Sequence, residues 1–396
     1  MNLSAEDKLL LATTRLNPTD EEIHSMKELI RTVNDWSYFT STVIRNSIAP
    51  LAYKNLSLVQ HNNEIPQKTL VKFKQTYLLS LSRNVVLYEH FKNAMNAFSL
   101  QGISVIALKG IFLAEIIYKD IGLRQMSDID LLVKNEDADH CRNILADISY
   151  KPQERIKTDF IKSQHDTKHL PPMVLKGVSI EIHLKVLPDD YSYQVNVENY
   201  WKHAIPTTIY GINALVLSPN DLLQHLCVHL DQHFHNGMIQ LYSFCDITEV
   251  LKKYQNEIDW ALFQESCDSC HCSKNVFSLL FIANKYFHAP LPEKINQSAI
   301  QYIDDTTEKL FIHYLKVNSS KIANEISNTN IKSLGKVSGL KNKLKYLAGD
   351  IFPSPSFMRK RYHIRSKPLI YWYYIVRIRA GIVALFAYLL KSRRDV

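Results

Sequence analysis

The chain has 396 residues and a formal net charge of +8, with 46% hydrophobic and 22% charged residues. This balance excludes an intrinsically disordered chain, and six cysteines in this length exclude a disulfide scaffold. Glycine is scarce, with 10 residues in all, which favours helices over glycine-rich repeats, propellers and sandwiches. The first residues lack the basic and apolar segments of a signal peptide, so a cytoplasmic protein is expected.

Helical patterns occupy the first hundred residues. Apolar residues recur at helical spacing over 5–98, and the acidic run Asp20 to Glu22 indicates a helix start. The pattern then changes to short, β-branched runs. These runs, with the segments between them, predict strands over 103–107, 129–133 and 178–184 and helices over 111–118 and 137–145.

The helical pattern returns after residue 218. Ser218 is a typical N-cap and Pro219 a typical first helical residue. The order of elements is therefore helices, a small α/β unit, helices again and a basic tail. The expected domains are an N-terminal helical region over 1–100, an α/β core over 101–215, a helical domain over 216–317, a linker over 318–351 and a basic aromatic segment over 352–396.

The positive charge of the chain is concentrated in its tail. Residues 359–396 contain ten basic residues and one acidic residue, a net charge of +9, so the other residues sum to −1. A nearly neutral body does not favour nucleic acid as a partner.

The tail is also apolar and aromatic over 369–390. Its apolar runs are too short to span a membrane, and Arg377 and Arg379 interrupt them. Two hypotheses follow: peripheral contact with anionic lipid through 359–396, or a helix packed on protein. For 369–376 the packed helix is favoured, because apolar residues cover nearly all of its sides.

The residues that indicate a chemistry begin in the second predicted strand. Asp128 and Asp130 are two residues apart, so both carboxylates point to one face of the strand. Two adjacent acids repel each other and are typical of a site where a cation lies between them; oxygen ligands suit Mg²⁺ or Mn²⁺. If strand 178–184 lies beside this strand, Glu181 completes a three-carboxylate cluster for two metals, with His183 on the same face.

A phosphate site is expected at Gly110. This glycine precedes a predicted helix, whose free N–H groups can hold a phosphate, and Lys109 and Arg124 add positive charge. A phosphate site beside paired carboxylates indicates metal-assisted phosphoryl or nucleotidyl transfer. The structural alternative is an Asp pair that only caps a turn, which an isolated Asp-x-Asp motif would favour.

Several segments resemble the uncharacterised nucleotidyltransferase family of the DNA polymerase β-like nucleotidyltransferase superfamily. The similar segments, which together span about 5–380, include Leu108-Lys109-Gly110, Asp128-Ile129-Asp130-Leu131-Leu132-Val133, Glu181-Ile182-His183, 222–230, Asp259-Trp260 and Phe352-Pro353-Ser354-Pro355. The resemblance implies an α+β fold, with a small mixed sheet as the nucleotidyltransferase core and helical regions on either side.

The resemblance also implies the roles of the site residues. Asp128, Asp130 and Glu181 would be catalytic and would bind two divalent metals, Mg²⁺ or Mn²⁺. The nucleotide contacts would be Lys109, Gly110, Arg124 and His183. The expected donor is an NTP, with ATP as the first choice, and the expected acceptor is a hydroxyl group. Neither the identity of the acceptor nor the base preference for the NTP follows from the sequence.

Two alternatives to this enzyme stay open at this point. Ile111 follows Gly110 where the superfamily has a second glycine or a serine, which is compatible with a nucleotide-binding regulatory protein without turnover. The other alternative is a toxin-like tRNA nucleotidyltransferase. The neutral body of the chain argues against it.

The sequence also contains a histidine ladder. His225, His229 and His233 follow each other at intervals of four residues, with Asp246 as a candidate to face them. This spacing can hold a transition metal, but half-buried histidines near the site are the favoured interpretation.

A cysteine cluster also has two interpretations. Cys267, Cys270 and Cys272 lie close together, and the first two match a c-type haem attachment motif. Haem attachment needs export, and zinc needs a second ligand pair, so reduced structural cysteines are expected.

Overall fold

A computed structural model of the chain describes residues 3–59, 64–153, 168–189, 191–235, 241–303, 305–316, 369–376 and 379. The chain divides into two compact units. The first contains Met1–Pro152 and Lys168–Ala323, and the second contains Gln153–Thr167 and Asn324–Val396. The predicted linker over 318–351 lies outside the described residues, so its assignment stays a prediction.

Helices form the first hundred residues of the first unit, as predicted. Their bounds are α1 Ala5–Ala12, α2 Asp20–Thr32, α3 Trp36–Arg45, α4 Ala49–Val59 and α5 Gln67–Leu100. Ser4 and Asp7 form a capping box at α1, and Thr19 and Glu22 form another at α2, with hydrogen bonds of 3.0–3.2 Å. The acidic run after Thr19 is therefore a helix start, as the sequence indicated.

A mixed sheet of seven strands follows α5, which confirms the α+β fold class. The strands are β1 Ile106–Ala107, β2 Asp128–Leu132, β3 Lys151–Pro152, β4 Met173–Leu175, β5 Val178–His183, β6 Ile205–Ile209 and β7 Ile212–Val216. Their order across the sheet is β3-β4-β5-β2-β1-β7-β6. Strand β2 runs parallel to β5 and antiparallel to β1, and β1 runs parallel to β7.

The hairpin of β6 and β7 was not predicted from the sequence. Tyr210 and Gly211 join the two strands with φ angles of 50° and 73°. Positive φ at both central residues is typical of a type I′ turn, which matches the twist of the strands that it connects. The signal was present as a residue pair ending in glycine between two short apolar runs.

The remaining helices of the first unit lie between the strands along the chain or follow the last strand. Between strands lie α6 Gly110–Phe112, which continues as a π-helix over Leu113–Ile117, and α7 Ala138–Asp147 and α8 Val197–His203. After the sheet come α9 Pro219–His235, α10 Leu241–Tyr254, α11 Trp260–Ser269, α12 Ser273–Phe287, α13 Glu293–Tyr302 and α14 Asp305–Lys316. The hydroxyl of Ser218 accepts a hydrogen bond of 3.3 Å from the backbone N–H of Asp221, so the predicted cap of α9 is confirmed.

The apolar residues of the two central strands fix their register. Ile129 and Leu131 of β2 and Ile180 and Ile182 of β5 are at most 1% exposed. Burying one such side chain stabilises the fold by about 1.5–3 kcal/mol. A slip of one residue would turn these side chains out and the intervening acids in, so the pattern holds the acids on the opposite face.

The described part of the second unit is a helix over 369–376. Ile370 is buried, whereas Tyr371, Trp372 and Ile375 are each more than half exposed. The predicted helix is present, but these exposures disagree with the prediction that it is packed on nearly all sides. In the described ranges, none of the helices combines the length and apolar character that crossing a membrane requires.

Candidate active site

The parallel pairing of β2 and β5 brings the predicted acids together. Asp130 is the register partner of Glu181, and His183 lies opposite Leu132. Alternate residues of a strand share a face, so Asp128, Asp130, Glu181 and His183 lie on the same side of two neighbouring strands. The condition set by the sequence, that the strand of Glu181 lies beside the strand of Asp130, is confirmed.

Asp130 is the centre of this cluster. Its Oδ1 lies 2.7 Å from Nε2 of His183, and its Oδ2 lies 3.1 Å from Nζ of Lys109. Oε2 of Glu181 lies 3.6 Å from the same His183 nitrogen and 3.8 Å from Nε2 of His169. The sequence did not indicate His169, because its pairing with His183 through an isolated β-bridge is evident only from the fold.

The three carboxyl groups have different pKa values because their neighbours differ. Burial, Asp130 and Glu181 together raise the pKa of Asp128 to about 6. Burial would also raise the pKa of Asp130, but Lys109 and His183 outweigh it and hold that pKa well below its usual value. Burial would raise the pKa of Glu181, but the hydrogen bond with His183 and the charges of His169 and His183 together outweigh it and lower that pKa. Of the three, Asp128 is therefore the carboxyl group whose negative charge is least compensated by nearby basic side chains.

The donor set of this cluster fits a divalent metal ion. One ligand atom each from Asp130, Glu181 and His183 lies within 4.8 Å of the others. Two carboxylates and an imidazole are suitable ligands for a divalent first-row ion, and Asp128 is two residues from Asp130 on the same face. His183, which the sequence assigned to the nucleotide, therefore lies among the candidate metal ligands.

Gly110 begins the helix that follows β1, next to this cluster. A Cβ atom at Gly110 would lie 2.8 Å from Sδ of Met126 and 2.9 Å from Nη1 of Arg124, both too close for an unshifted side chain. Any other residue at this position would have to push Met126 or Arg124 aside, which favours glycine. Lys109, one residue before, has a φ of 45°, which is uncommon for a residue with a side chain.

Arg124 lies behind this loop in a buried ion pair. It donates three hydrogen bonds of 2.8–3.1 Å to the carboxylate of Asp246 in α10, which also accepts one of 2.8 Å from the hydroxyl of Tyr118. The sequence expected Asp246 to face the histidine ladder, and this was wrong, because Asp246 is fully engaged by Arg124 and Tyr118. Arg124 therefore supports the loop from behind, with Asp246 as the partner that sequence reasoning missed.

The histidine ladder lies on α9 and faces the cluster. The ring centroids of His225 and His229 are 6.2 Å apart and those of His229 and His233 are 4.5 Å apart. Burial and the nearby Lys109 lower the pKa of all three, that of His233 to about 4, so the rings are neutral. Neither ring nitrogen of His225 has a hydrogen-bond partner among the described residues. The favoured interpretation, histidines near the site, agrees with this arrangement.

The cysteines show no arrangement for a metal. Cys267, Cys270 and Cys272 are free, and burial contributes to raising the pKa of the first two thiols. Within the part of the chain that the structure describes, Asp130, Glu181 and His183 are the group of three that could hold a metal ion. The interpretation of these cysteines as structural residues stays a prediction.

The fold and the cluster can now be compared with known proteins. The acidic residues, the glycine at the helix start and the mixed sheet belong to one segment, which the sequence profile of the uncharacterised nucleotidyltransferase family matches over residues 32–288. This match covers more than half of the chain and every strand of the sheet. The chain therefore belongs to the uncharacterised nucleotidyltransferase family. No curated protein and no solved structure matches it.

Proposed function

We propose that this protein is a divalent-metal-dependent nucleotidyltransferase that transfers a nucleoside monophosphate from an NTP, ATP as the first choice, to a hydroxyl acceptor. The observation that carries the proposal is the register of β2 against β5, which pairs Asp130 with Glu181. This register places three carboxylates beside the Lys109-Gly110 loop. Acid clusters next to a phosphate-binding helix start are suited to phosphoryl chemistry.

Each candidate site residue has a role in this proposal. Asp130, Glu181 and His183, with Asp128 beside them, would hold the divalent cation, and Glu181 would be either a metal ligand or the base that accepts the proton of the attacking hydroxyl. The N–H groups after Gly110 and the ammonium of Lys109 bind the phosphates. Arg124 holds the loop in place through its contact with Asp246. A divalent ion bound by these carboxylates would supply Lewis-acid activation of the acceptor hydroxyl and charge neutralisation at the phosphates.

The donor set supports Mn²⁺ over Mg²⁺. Mg²⁺ prefers oxygen ligands, whereas an imidazole nitrogen suits transition metals, and Nε2 of His183 is part of the candidate ligand group. Mn²⁺ is therefore the first metal to test in an assay, and Mg²⁺ is the comparison.

The proposal is tested by label transfer from NTPs carrying ³²P at the α-phosphate. The purified protein, Mn²⁺ and a cell extract as the source of acceptors should yield a labelled product and pyrophosphate. Asp130→Asn should abolish transfer, because this substitution removes the charge that both Lys109 and a metal ion require. Asp139→Asn, on the exposed side of α7, is the matched control and should leave transfer unchanged.

The same assay separates the alternatives. Label transfer by Asp130→Asn at the wild-type rate would end the proposal. Metal-dependent NTP binding without pyrophosphate release, over a wide range of acceptors, would identify a regulatory nucleotide-binding protein. Label found on tRNA, together with tRNA binding that weakens steeply with salt, would identify the tRNA-directed enzyme.

A further inference from the structure

Each carboxylate oxygen of Asp130 is in contact with a basic side chain of the protein itself. Lys109 lies at Oδ2 and His183 at Oδ1, at 3.1 and 2.7 Å. The side chains of Lys109 and Asp130 are only 11% and 10% exposed, so solvent screens this contact weakly. Each carboxylate oxygen has two lone pairs, so a metal ion that binds Asp130 would lie directly beside at least one of these two side chains.

Of these two side chains, Lys109 is the one whose charge opposes a metal ion. His183 can itself be a ligand, because a neutral imidazole offers a lone pair to a metal. A protonated lysine has no lone pair to offer, and its positive charge repels a divalent ion bound to the same carboxylate. Lys109 and a metal ion therefore compete for the same oxygen of Asp130.

The backbone around Lys109 is fixed, so only its side chain can respond. The N–H of Leu108 donates to the carbonyl of Asp130 at 3.0 Å, and the N–H of Leu113 donates to the carbonyl of Lys109 at 2.8 Å. Gly110 has no free space on the side of Met126 and Arg124. The loop is held on both sides of Lys109, and the competition is resolved by rotation of the lysine side chain.

Among the described residues, the acidic groups that attract the ammonium of Lys109 are those of the cluster itself. The acidic groups that act most strongly on Lys109 are Asp130, Asp128 and Glu181, all members of the cluster that a metal would occupy. The facing wall of α9 presents neutral histidines instead of acids. The available anion is then a phosphate held at the helix start after Gly110.

We propose that Lys109 has two positions: it neutralises Asp130 while the site is free of metal, and it moves to the phosphates of the nucleotide when a divalent ion binds. Metal binding thereby creates the phosphate contact, and metal and nucleotide bind with positive coupling. The second position rests on the proposed function, whereas the competition between Lys109 and metal does not.

The two positions predict changes of opposite sign in one variant. In Lys109→Met, Mn²⁺ measured by electron paramagnetic resonance without nucleotide should bind about tenfold or more tightly, because a competing charge is gone. A non-hydrolysable ATP analogue measured by calorimetry with saturating Mn²⁺ should bind about tenfold or more weakly. Lys109→Arg should stay close to wild type in the first measurement. Lys134→Met, just after β2, is the control for loss of a lysine charge and should change neither.

The outcomes are distinct. Unchanged or weaker Mn²⁺ binding by Lys109→Met overturns the competition, since it would mean that the lysine holds the acids in place. Tighter Mn²⁺ binding with unchanged affinity for the analogue overturns the second position. A wild-type protein that binds Mn²⁺ but no nucleotide overturns the proposed function and the second position together, while the Mn²⁺ measurement still decides the first. If Lys109→Met lacks a folded circular dichroism spectrum, Lys109→Gln takes its place in both measurements with the same expected signs.

Discussion

The ion pair of Arg124 and Asp246 is the contact whose loss should cost the most stability. The two side chains are 7% and 1% exposed, and three hydrogen bonds join them. Asp246→Asn keeps the shape of the carboxylate but removes its charge. In the wild type, burial would lower the pKa of Arg124, but Asp246 outweighs burial and raises it. In Asp246→Asn the guanidinium keeps its charge, because arginine stays protonated in proteins, and it is left without its counter-ion.

The expected magnitude follows from this burial. Removing one partner of a buried ion pair costs about 3–5 kcal/mol, because an uncompensated charge remains in the interior. Tyr118→Phe removes one hydrogen bond to Asp246 and leaves the ion pair, so it should cost only about 0.5–1.5 kcal/mol. The double variant Arg124→Met with Asp246→Leu removes both charges and should recover most of the loss.

Urea unfolding followed by circular dichroism measures all three free energies. The order of stability should be wild type, Tyr118→Phe, the double variant, and Asp246→Asn as the least stable. If Asp246→Asn lost no more than Tyr118→Phe, the pair would not be a buried clamp, and the support of the Gly110 loop by Arg124 would have to be abandoned.

Two further predictions concern the loop and the first helix. The added methyl group of Gly110→Ala should push against Arg124 and Met126 and lower the free energy of unfolding by about 1–3 kcal/mol. Calorimetry should show weaker binding of the ATP analogue, while Mn²⁺ binding stays intact. Unchanged nucleotide affinity would contradict the assignment of this loop to phosphate binding. Glu6 accepts hydrogen bonds of 2.9 and 3.0 Å from the backbone N–H groups of Asn34 and Asp35, which outweigh burial and lower its pKa from 4.5 to about 2. A lowered carboxyl pKa contributes stability above the unfolded value and loses it as the pH falls, so Glu6→Gln should cost about 1–2 kcal/mol at pH 7, with the cost shrinking from pH 4.5 downwards. A difference from wild type that does not change between pH 3 and 7 would refute this cause.

Local patterns determined what the sequence could predict. The capping residues Thr19 and Ser218 act within three residues of their partners, and the alternation of β5 is a property of six consecutive residues. These features need no knowledge of distant parts of the chain. The helix starts and the faces of the strands were therefore accessible before the fold was known.

Long-range partners were not accessible in the same way. Asp246 is 122 residues from Arg124, and His183 is 53 residues from Asp130. The packing of α10 and the register of β5 decide these pairs, and many acids and histidines of the chain compete for them in a sequence argument. The resemblance to the family indicated which acids belong together but did not show that Lys109 lies on Asp130.

The strands of the sheet do not pair in the order in which they are synthesised, because β1 lies between β2 and β7 and β2 lies between β1 and β5. Ile106 pairs with Leu132 on one side and with Leu215 on the other. A ribosome adds about 5–20 residues per second, so β2 emerges before its neighbour β5 and its outer edge stays unpaired for that time. Charged residues at an open edge hinder pairing with other chains. We therefore expect Asp128 and Asp130 to hinder pairing of this edge with other chains until β5 covers the strand that carries them.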